Sequence, residues 1–211
     1  MNFNYINIQR KNASYIIAEI GVNHECSIKV AKKLILLAKR GGADAAKFQT
    51  YKAEKIVKKN SKAYWDIKKE KTKSQFELFS KLDKFQPEDY KNLALYCKKL
   101  KIDFLSTPFD LESVSFLNPL VPLFKISSSD ITNIPLIKKI ANCRKPVILS
   151  TGASNIDEIK SAVKILRKGT KKIIIMHCIL NYPTKDSNAN LSMILDLKKN
   201  CWIGTGGIAS N

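Results

Sequence analysis

The sequence predicts an α/β protein with parallel strands, and three observations lead to that fold class. Short apolar runs that end in small or polar residues alternate with segments whose apolar residues recur at helical spacing. Parallel neighbours need a crossover of a dozen or more residues, which the helical segments supply. The first apolar run ends in EIGVNHE, which lacks the GxGxxG of a dinucleotide-binding fold. A (β/α)8 barrel of the TIM type is therefore favoured over an open doubly wound sheet.

Seven apolar runs are predicted as strands. In chain order they are IIAEIG (16–21), AAKFQ (45–49), DFLSTP (103–108), LFKISS (123–128), PVILST (146–151), IIIMHC (173–178) and WIGTGG (202–207). Each is followed by small or polar residues that end a strand, and the β-branched content of most runs favours extended backbone.

Helices are predicted between the strands. The first should end at the glycine pair 41–42 and bury one face made of Val30, Ala31, Leu34, Leu37 and Ala38. A later helix should open at Pro87 and carry apolar residues at helical spacing, namely Tyr90, Leu93, Ala94, Cys97 and Leu100. Between them, residues 50–84 form a lysine-rich excursion that resembles an insertion.

Length and composition predict one cytoplasmic domain. The 211 residues, 45% of them hydrophobic, can bury a core, and we expect a single domain over 1–211. No stretch approaches the roughly 20 apolar residues that cross a bilayer, so no membrane partner is expected. Five scattered cysteines without a CxxC pair indicate neither a disulfide framework nor a zinc site.

The net charge of +19 raises the alternative of a basic nucleic-acid binder. The lysines, however, occupy the polar positions of nearly every helical segment, as in KKLILLAKR and KNLALYCKKLK. No aromatic-interleaved basic stripe and no zinc-finger or RNA-recognition signature accompanies them. The pattern favours a solvated exterior, and we expect no nucleic-acid partner.

Polar side chains collect at the predicted strand ends. They are Glu19, Lys47, Gln49, Ser106, Thr107, Lys125, Ser128, Asp130, Ser150, Thr151, His177 and Tyr182. Serine and aspartate clusters are also ordinary turn and helix-cap chemistry, which is the competing interpretation. Two lysines inside apolar strands are costly to bury unless each meets an anion. The set therefore predicts a site for an acidic small molecule, with lysines and hydroxyls holding a phosphate or carboxylate.

Six motifs in order resemble the N-acetylneuraminate (sialic acid) synthase family, including its legionaminate and pseudaminate synthase relatives. They are IIAEIGVNHE, GADAAKFQT, FLSTPFDLESVSFL, FKISSSDITNIPLI, KPVILSTGAS and HCILNYPT, from about residue 16 to 190. The resemblance implies a (β/α)8 barrel that condenses phosphoenolpyruvate with an N-acetylated hexosamine, releases phosphate and forms a nonulosonic acid. It also implies assistance by Mn²⁺ or Mg²⁺ and, in complete relatives, a homodimer.

The resemblance assigns roles to matching positions. Glu19 and Asp130 match acidic active-site positions suited to proton handling or to orienting the attacking water, although relatives usually have Glu where Asp130 stands. The positions that match the substrate-binding set are Lys47, Gln49, Thr107, Lys125, Ser128, Ser150 and Tyr182. An aspartate that caps the following helix is the competing interpretation of Asp130. His24 is expected to be a hydrogen-bonded loop residue and His177 a structural histidine.

The C-terminal residues IGTGGIASN depart from the family pattern. We expect this chain to lack the eighth strand, the small antifreeze-like domain and both metal histidines of relatives, so no metal ligand is assigned. A phosphate-cradling role for the GTGG run at a helix start stays open. Two alternatives to a synthase therefore stay open: a non-catalytic or truncated barrel that keeps the anion pocket, and the basic nucleic-acid binder.

Overall fold

The computed structural model describes residues 14–181, 184–201 and 204–206. The chain divides into two compact units, Met1–Pro122 and Leu123–Asn211. We call them the N-terminal and the C-terminal unit. Each is an α/β unit with a parallel sheet, and neither sheet closes on itself in the described ranges. The α/β class predicted from the sequence is confirmed.

The N-terminal unit contains a three-stranded sheet in the order β1-β2-β3. Its strands are β1 (Ile17–Gly21), β2 (Ala45–Thr50) and β3 (Asp103–Pro108). All pairs are parallel, and the register sets Glu19 beside Lys47 and Gln49 beside Thr107. Because directly paired residues face the same side of a sheet, the polar side chains of neighbouring strand ends meet.

Over residues 14–122, the N-terminal unit contains five helices: α1 (Ile28–Arg40), α2 (Ala53–Ile56), α3 (Gln75–Leu82), α4 (Pro87–Leu100) and α5 (Leu111–Leu117). The helix opened by Pro87 is confirmed, with Tyr90, Leu93 and Cys97 buried. The predicted excursion over residues 50–84 contains α2, α3 and an antiparallel bridge between Lys62 and Ser74.

The predicted buried face of α1 was wrong in part. Ala31 and Ile35 are its buried residues, whereas Val30 is 39% and Leu37 is 51% exposed. One side of a helix repeats at three or four residues, so the i, i+4 pair of Ala31 and Ile35 defines the face that packs. Leu37 is two positions after Ile35 and therefore lies on the opposite side of the helix.

The C-terminal unit contains a four-stranded parallel sheet in the order β4-β5-β6-β7. Its strands are β4 (Phe124–Ile126), β5 (Val147–Ser150), β6 (Ile173–Met176) and β7 (Gly204–Gly206). Its helices are α6 (Ile134–Asn142), α7 (Ile156–Leu166) and α8 (Met193–Cys201), with 3-10 turns at Ser128–Asp130 and Asp186–Asn188. All seven predicted strands therefore occur at the expected places.

Close backbone packing follows α7. A Cβ atom added to Gly169 would lie 1.8 Å from the carbonyl oxygen of Ala141, the penultimate residue of α6. Glycine is thus required at position 169 by space rather than by backbone angle.

No helix within the described ranges is both long and apolar enough to cross a bilayer.

Candidate functional site

The N-terminal unit carries a group of polar side chains that we call the first strand-end cluster: Glu19, Lys47, Gln49 and Thr107. Lys47 is only 8% exposed, and its ammonium group forms an ion pair with the carboxylate of Glu19. The same Nζ atom lies 3.5 Å from Thr107 Oγ1. A buried lysine needs an anion and hydrogen-bond acceptors, and Glu19 with Thr107 supply both. The side chain of Glu19 stays 38% exposed and thus open to solutes.

Gly21 ends β1 in a left-handed backbone conformation. Its φ of 56° lies in the left-handed region that glycine adopts without strain. A Cβ atom there would lie 3.5 Å from Glu19 Oε1 and 3.7 Å from Gln49 Nε2. The carboxylate of Glu19 and the amide of Gln49 therefore both lie next to this position, and the structure brings all four predicted residues of the cluster together.

His24 lies beside this sheet as a buried, neutral residue. It is 1% exposed and stacks on Phe85 with ring centroids 4.2 Å apart. Its Nδ1 atom accepts a hydrogen bond from the backbone N–H of Cys26 at 3.1 Å, so Nε2 carries the ring hydrogen. Nε2 has no hydrogen-bond partner within the described ranges. Burial lowers the pKa of His24 to about 4, and the expected role of a hydrogen-bonded loop residue fits this geometry.

The C-terminal unit carries the second strand-end cluster: Lys125, Ser128 and Ser150. Lys125 Nζ donates to Ser150 Oγ at 2.5 Å and to the carbonyl oxygen of Ile126 at 3.0 Å. The register explains the first contact, since Lys125 pairs with Ile148, and Ser150 follows two residues later on the same side of β5. The second cluster thus joins a cation to a hydroxyl at the ends of two neighbouring strands.

Ser128 joins this cluster through the loop after β5. The backbone N–H of Gly152 donates to Ser128 Oγ at 2.9 Å. A hydroxyl whose oxygen accepts a hydrogen bond still has its own hydrogen to donate. The oxygens of Ser128 and Ser150 both accept hydrogen bonds from protein donors. Each hydroxyl can therefore still donate its own hydrogen to an anion.

Asp130 forms a separate local network. Its carboxylate accepts hydrogen bonds from Asn133 Nδ2 at 3.1 Å and Ser129 Oγ at 3.3 Å. Burial raises its pKa above the ordinary aspartate value. Asn133, not Asp130, is the N-cap of α6, because its side chain accepts from the backbone N–H of Leu136. The competing interpretation of Asp130 as the cap of that helix is therefore wrong.

His177 is buried, and its Nε2 atom donates to the carbonyl oxygen of Ala189 at 2.9 Å, as a structural histidine does. Tyr182 lies outside the described residues. Most of the GTGG run is strand β7, Gly204–Gly206.

Within the part of the chain that the structure describes, the residues do not fit a divalent metal. Within the described ranges, no three or more His, Cys, Asp or Glu side chains form a group able to hold an ion. His24 has its ring stacked on Phe85 and His177 is engaged with a backbone carbonyl. The metal implied by the resemblance thus has no ligand set in this part of the chain.

Sequence reasoning missed two residues of the second cluster's surroundings. Gly152 supplies the N–H that Ser128 accepts, and Cys178 places its Sγ atom 3.3 Å from Ser150 Oγ. Strand alternation contained a signal for the cysteine. Met176 pairs with Ser150 across β5 and β6, and Cys178 follows Met176 by two residues.

Comparison with known proteins gives consistent results. A family model described as the NeuB family matches residues 34–206. The chain is similar to an uncharacterized protein of Methanocaldococcus jannaschii, with 46% identity over 88% of this chain and 52% of that protein. It is also similar to the N,N'-diacetyllegionaminic acid synthase of Campylobacter jejuni, with 45% identity over 87% of this chain and 56% of that enzyme. The chain therefore spans about half the length of these curated relatives.

A solved structure shows the same likeness in three dimensions. The N-acetylneuraminic acid (sialic acid) synthetase of Leptospira borgpetersenii, in complex with citrate, superposes with a TM-score of 0.80 and 33% sequence identity. The match covers 92% of this chain and 64% of that one.

Proposed function

This chain belongs to the NeuB family, and we propose on that premise that it contributes to the condensation of phosphoenolpyruvate with an N-acetylated hexosamine. In that reaction a bond forms between the methylene carbon of phosphoenolpyruvate and the carbonyl carbon of the open-chain sugar. Water adds at the carbon that carries the phosphate, phosphate leaves, and a nonulosonic acid results. The named synthase relatives and the resemblance of the six motifs support this assignment.

The observation that carries the proposal is the contact between Lys125 and Ser150. A lysine cation and two serine hydroxyls, with both serine oxygens already accepting, present positive charge and O–H donors at adjacent strand ends. Such a set favours phosphate or carboxylate oxygens, because charge-assisted hydrogen bonds to an anion are stronger than neutral ones. Phosphoenolpyruvate carries both groups. The Leptospira relative was solved with citrate, a small carboxylate.

The first strand-end cluster suits proton handling. Glu19 is partly exposed and paired with a buried ammonium group, so it can exchange a proton with a solute while Lys47 holds it in place. We propose that Gln49 contacts the sugar and that Thr107 and Lys47 bind phosphoenolpyruvate. Asp130, with its raised pKa, is proposed as a second acid or base.

These residues lie within or shortly after parallel strands, a placement that supports a (β/α)8 barrel enzyme. We propose that the seven strands are part of such a barrel, the fold of this family. A metal would polarise the sugar carbonyl when bound. No step is assigned to it, since the described residues do not fit one. Tyr182 as a sugar contact, the homodimer and the cytoplasmic location stay predictions.

Two measurements on the purified protein test the proposal. Calorimetry with phosphoenolpyruvate should show saturable binding above that of sulfate at equal ionic strength. Incubation with phosphoenolpyruvate and N-acetylated hexosamines, with and without Mn²⁺, should release phosphate and a nonulosonic acid in equal amounts. Binding without turnover would favour the non-catalytic barrel that keeps an anion pocket. Absence of both would overturn the proposed function.

A further inference from the structure

A thiol contacts the second strand-end cluster from β6. Cys178 lies two residues after the end of that strand, and its Sγ atom is 3.3 Å from Ser150 Oγ and 3.6 Å from the carbonyl oxygen of Met176. A thiol has one hydrogen, so only one of these two oxygens receives it.

The bonding of Met176 decides between them. Its carbonyl oxygen already accepts from the backbone N–H of Thr151 at 3.2 Å and from Thr151 Oγ1 at 2.9 Å. A carbonyl oxygen has two lone pairs, and both are occupied by these stronger donors. The nearer acceptor, Ser150 Oγ, therefore receives the thiol hydrogen.

This assignment fixes the direction of the Ser150 hydroxyl. Its oxygen has two lone pairs, one of which accepts from Lys125 Nζ and the other from Cys178 Sγ. The hydroxyl hydrogen is then the only remaining hydrogen-bonding capacity of the side chain. Ser150 can act toward a solute only as a donor.

Gly152 lies beside both Ser128 and Cys178. A Cβ atom at this position would lie 3.0 Å from Ser128 Oγ and 3.5 Å from Cys178 Cβ. The side chains of Ser128 and Cys178 therefore both lie against Gly152, and the backbone N–H of Gly152 donates to Ser128 Oγ. The loop after β5 thus holds the oxygen of Ser128 directly and lies beside the Cβ atom of Cys178.

We propose that Cys178 is a positioning residue that makes Ser150 an obligate hydrogen-bond donor to the anionic substrate. The inference rests on the proposed function for the identity of that anion, phosphoenolpyruvate. The thiol itself does not touch the substrate. Without it, the freed lone pair lets the hydroxyl rotate and weakens its preference for an anion.

Binding of phosphoenolpyruvate to three variants tests the proposal. We expect Cys178→Ala to weaken binding about two- to tenfold, the effect of one lost hydrogen bond. Cys178→Ser retains a donor and should recover most of that loss. Cys143→Ala is the matched control, because Cys143 is also half-buried in the C-terminal unit and its thiol donates to the Lys139 carbonyl. Melting temperatures establish that each variant is folded.

Two binding results would overturn the inference: unchanged affinity in Cys178→Ala, or equal losses in the alanine and serine variants. If the wild type binds no phosphoenolpyruvate, the proposed function fails, and the thiol assignment is decided by Raman spectroscopy. Ser150→Ala should then shift the S–H stretching band that Cys178→Ala removes. A band unchanged by Ser150→Ala would refute the hydrogen bond on which the proposal depends.

Discussion

Replacing Lys125 with methionine removes one positive charge from the second strand-end cluster while keeping an unbranched side chain of similar length. In the wild type the ammonium group donates to Ser150 Oγ and to the Ile126 carbonyl. The methionine variant keeps the apolar stem but offers no donor. We expect it to fold and to bind phosphoenolpyruvate more weakly.

The magnitude follows from the kind of contact that is lost. Lys125 is half-buried, so its attraction for an anion is neither screened as at the surface nor as strong as in a dry interior. A hydrogen bond to a charged group contributes about 1.5–3 kcal/mol. Since each 1.4 kcal/mol changes a binding constant tenfold, the dissociation constant should rise about 10- to 150-fold.

Isothermal titration calorimetry at fixed ionic strength measures this change. The ionic strength must be held constant because a protein with net charge +19 attracts anions without a specific site. Lys138→Met is the matched control, as Lys138 is an exposed lysine on α6 in the same unit. Equal affinity of wild type and Lys125→Met would refute the assignment of Lys125 to anion binding. An equal loss of affinity in Lys138→Met would show that Lys125 acts only through the net charge of the protein.

Three further outcomes are expected. Gly169→Ala should lower the free energy of unfolding by about 1–3 kcal/mol in urea titrations, because the new methyl group meets the Ala141 carbonyl. Gly41→Ala is the control, since a methyl group there makes ordinary contacts. An unchanged urea midpoint in Gly169→Ala would contradict this prediction. His24 is neutral when folded and has a pKa of about 4 against 6.5 unfolded, so the unfolded state binds the extra proton and stability should fall as pH drops from 6.5 toward 4. His24→Phe should flatten that slope, and an identical slope in wild type and variant would exclude the histidine as its cause. Glu19→Gln should slow condensation about 10²- to 10⁴-fold if the carboxylate moves a proton, and turnover equal to wild type in a phosphate-release assay would remove it from the chemistry.

The amino-acid sequence was enough to predict the class and the order of the elements. An apolar run such as IIIM or VILS can be recognised locally, since its burial needs only a continuous stretch of apolar residues, and the crossover lengths then require parallel pairing. It also located Lys47 and Lys125, because a cation within an apolar strand is unusual regardless of its partners.

Which side chains meet could not be predicted in this way, because contacts between distant segments depend on register and packing that no local pattern contains. Lys125 reaches Ser150 because β4 and β5 align in one register, and a slip of one residue would put the two side chains on opposite faces. Asn133 and not Asp130 caps α6, a choice made by backbone geometry between two residue types that both serve as caps. The thiol of Cys178 donates to Ser150 because the carbonyl of Met176 is already saturated by Thr151, and that competition exists only once β5 and β6 have paired.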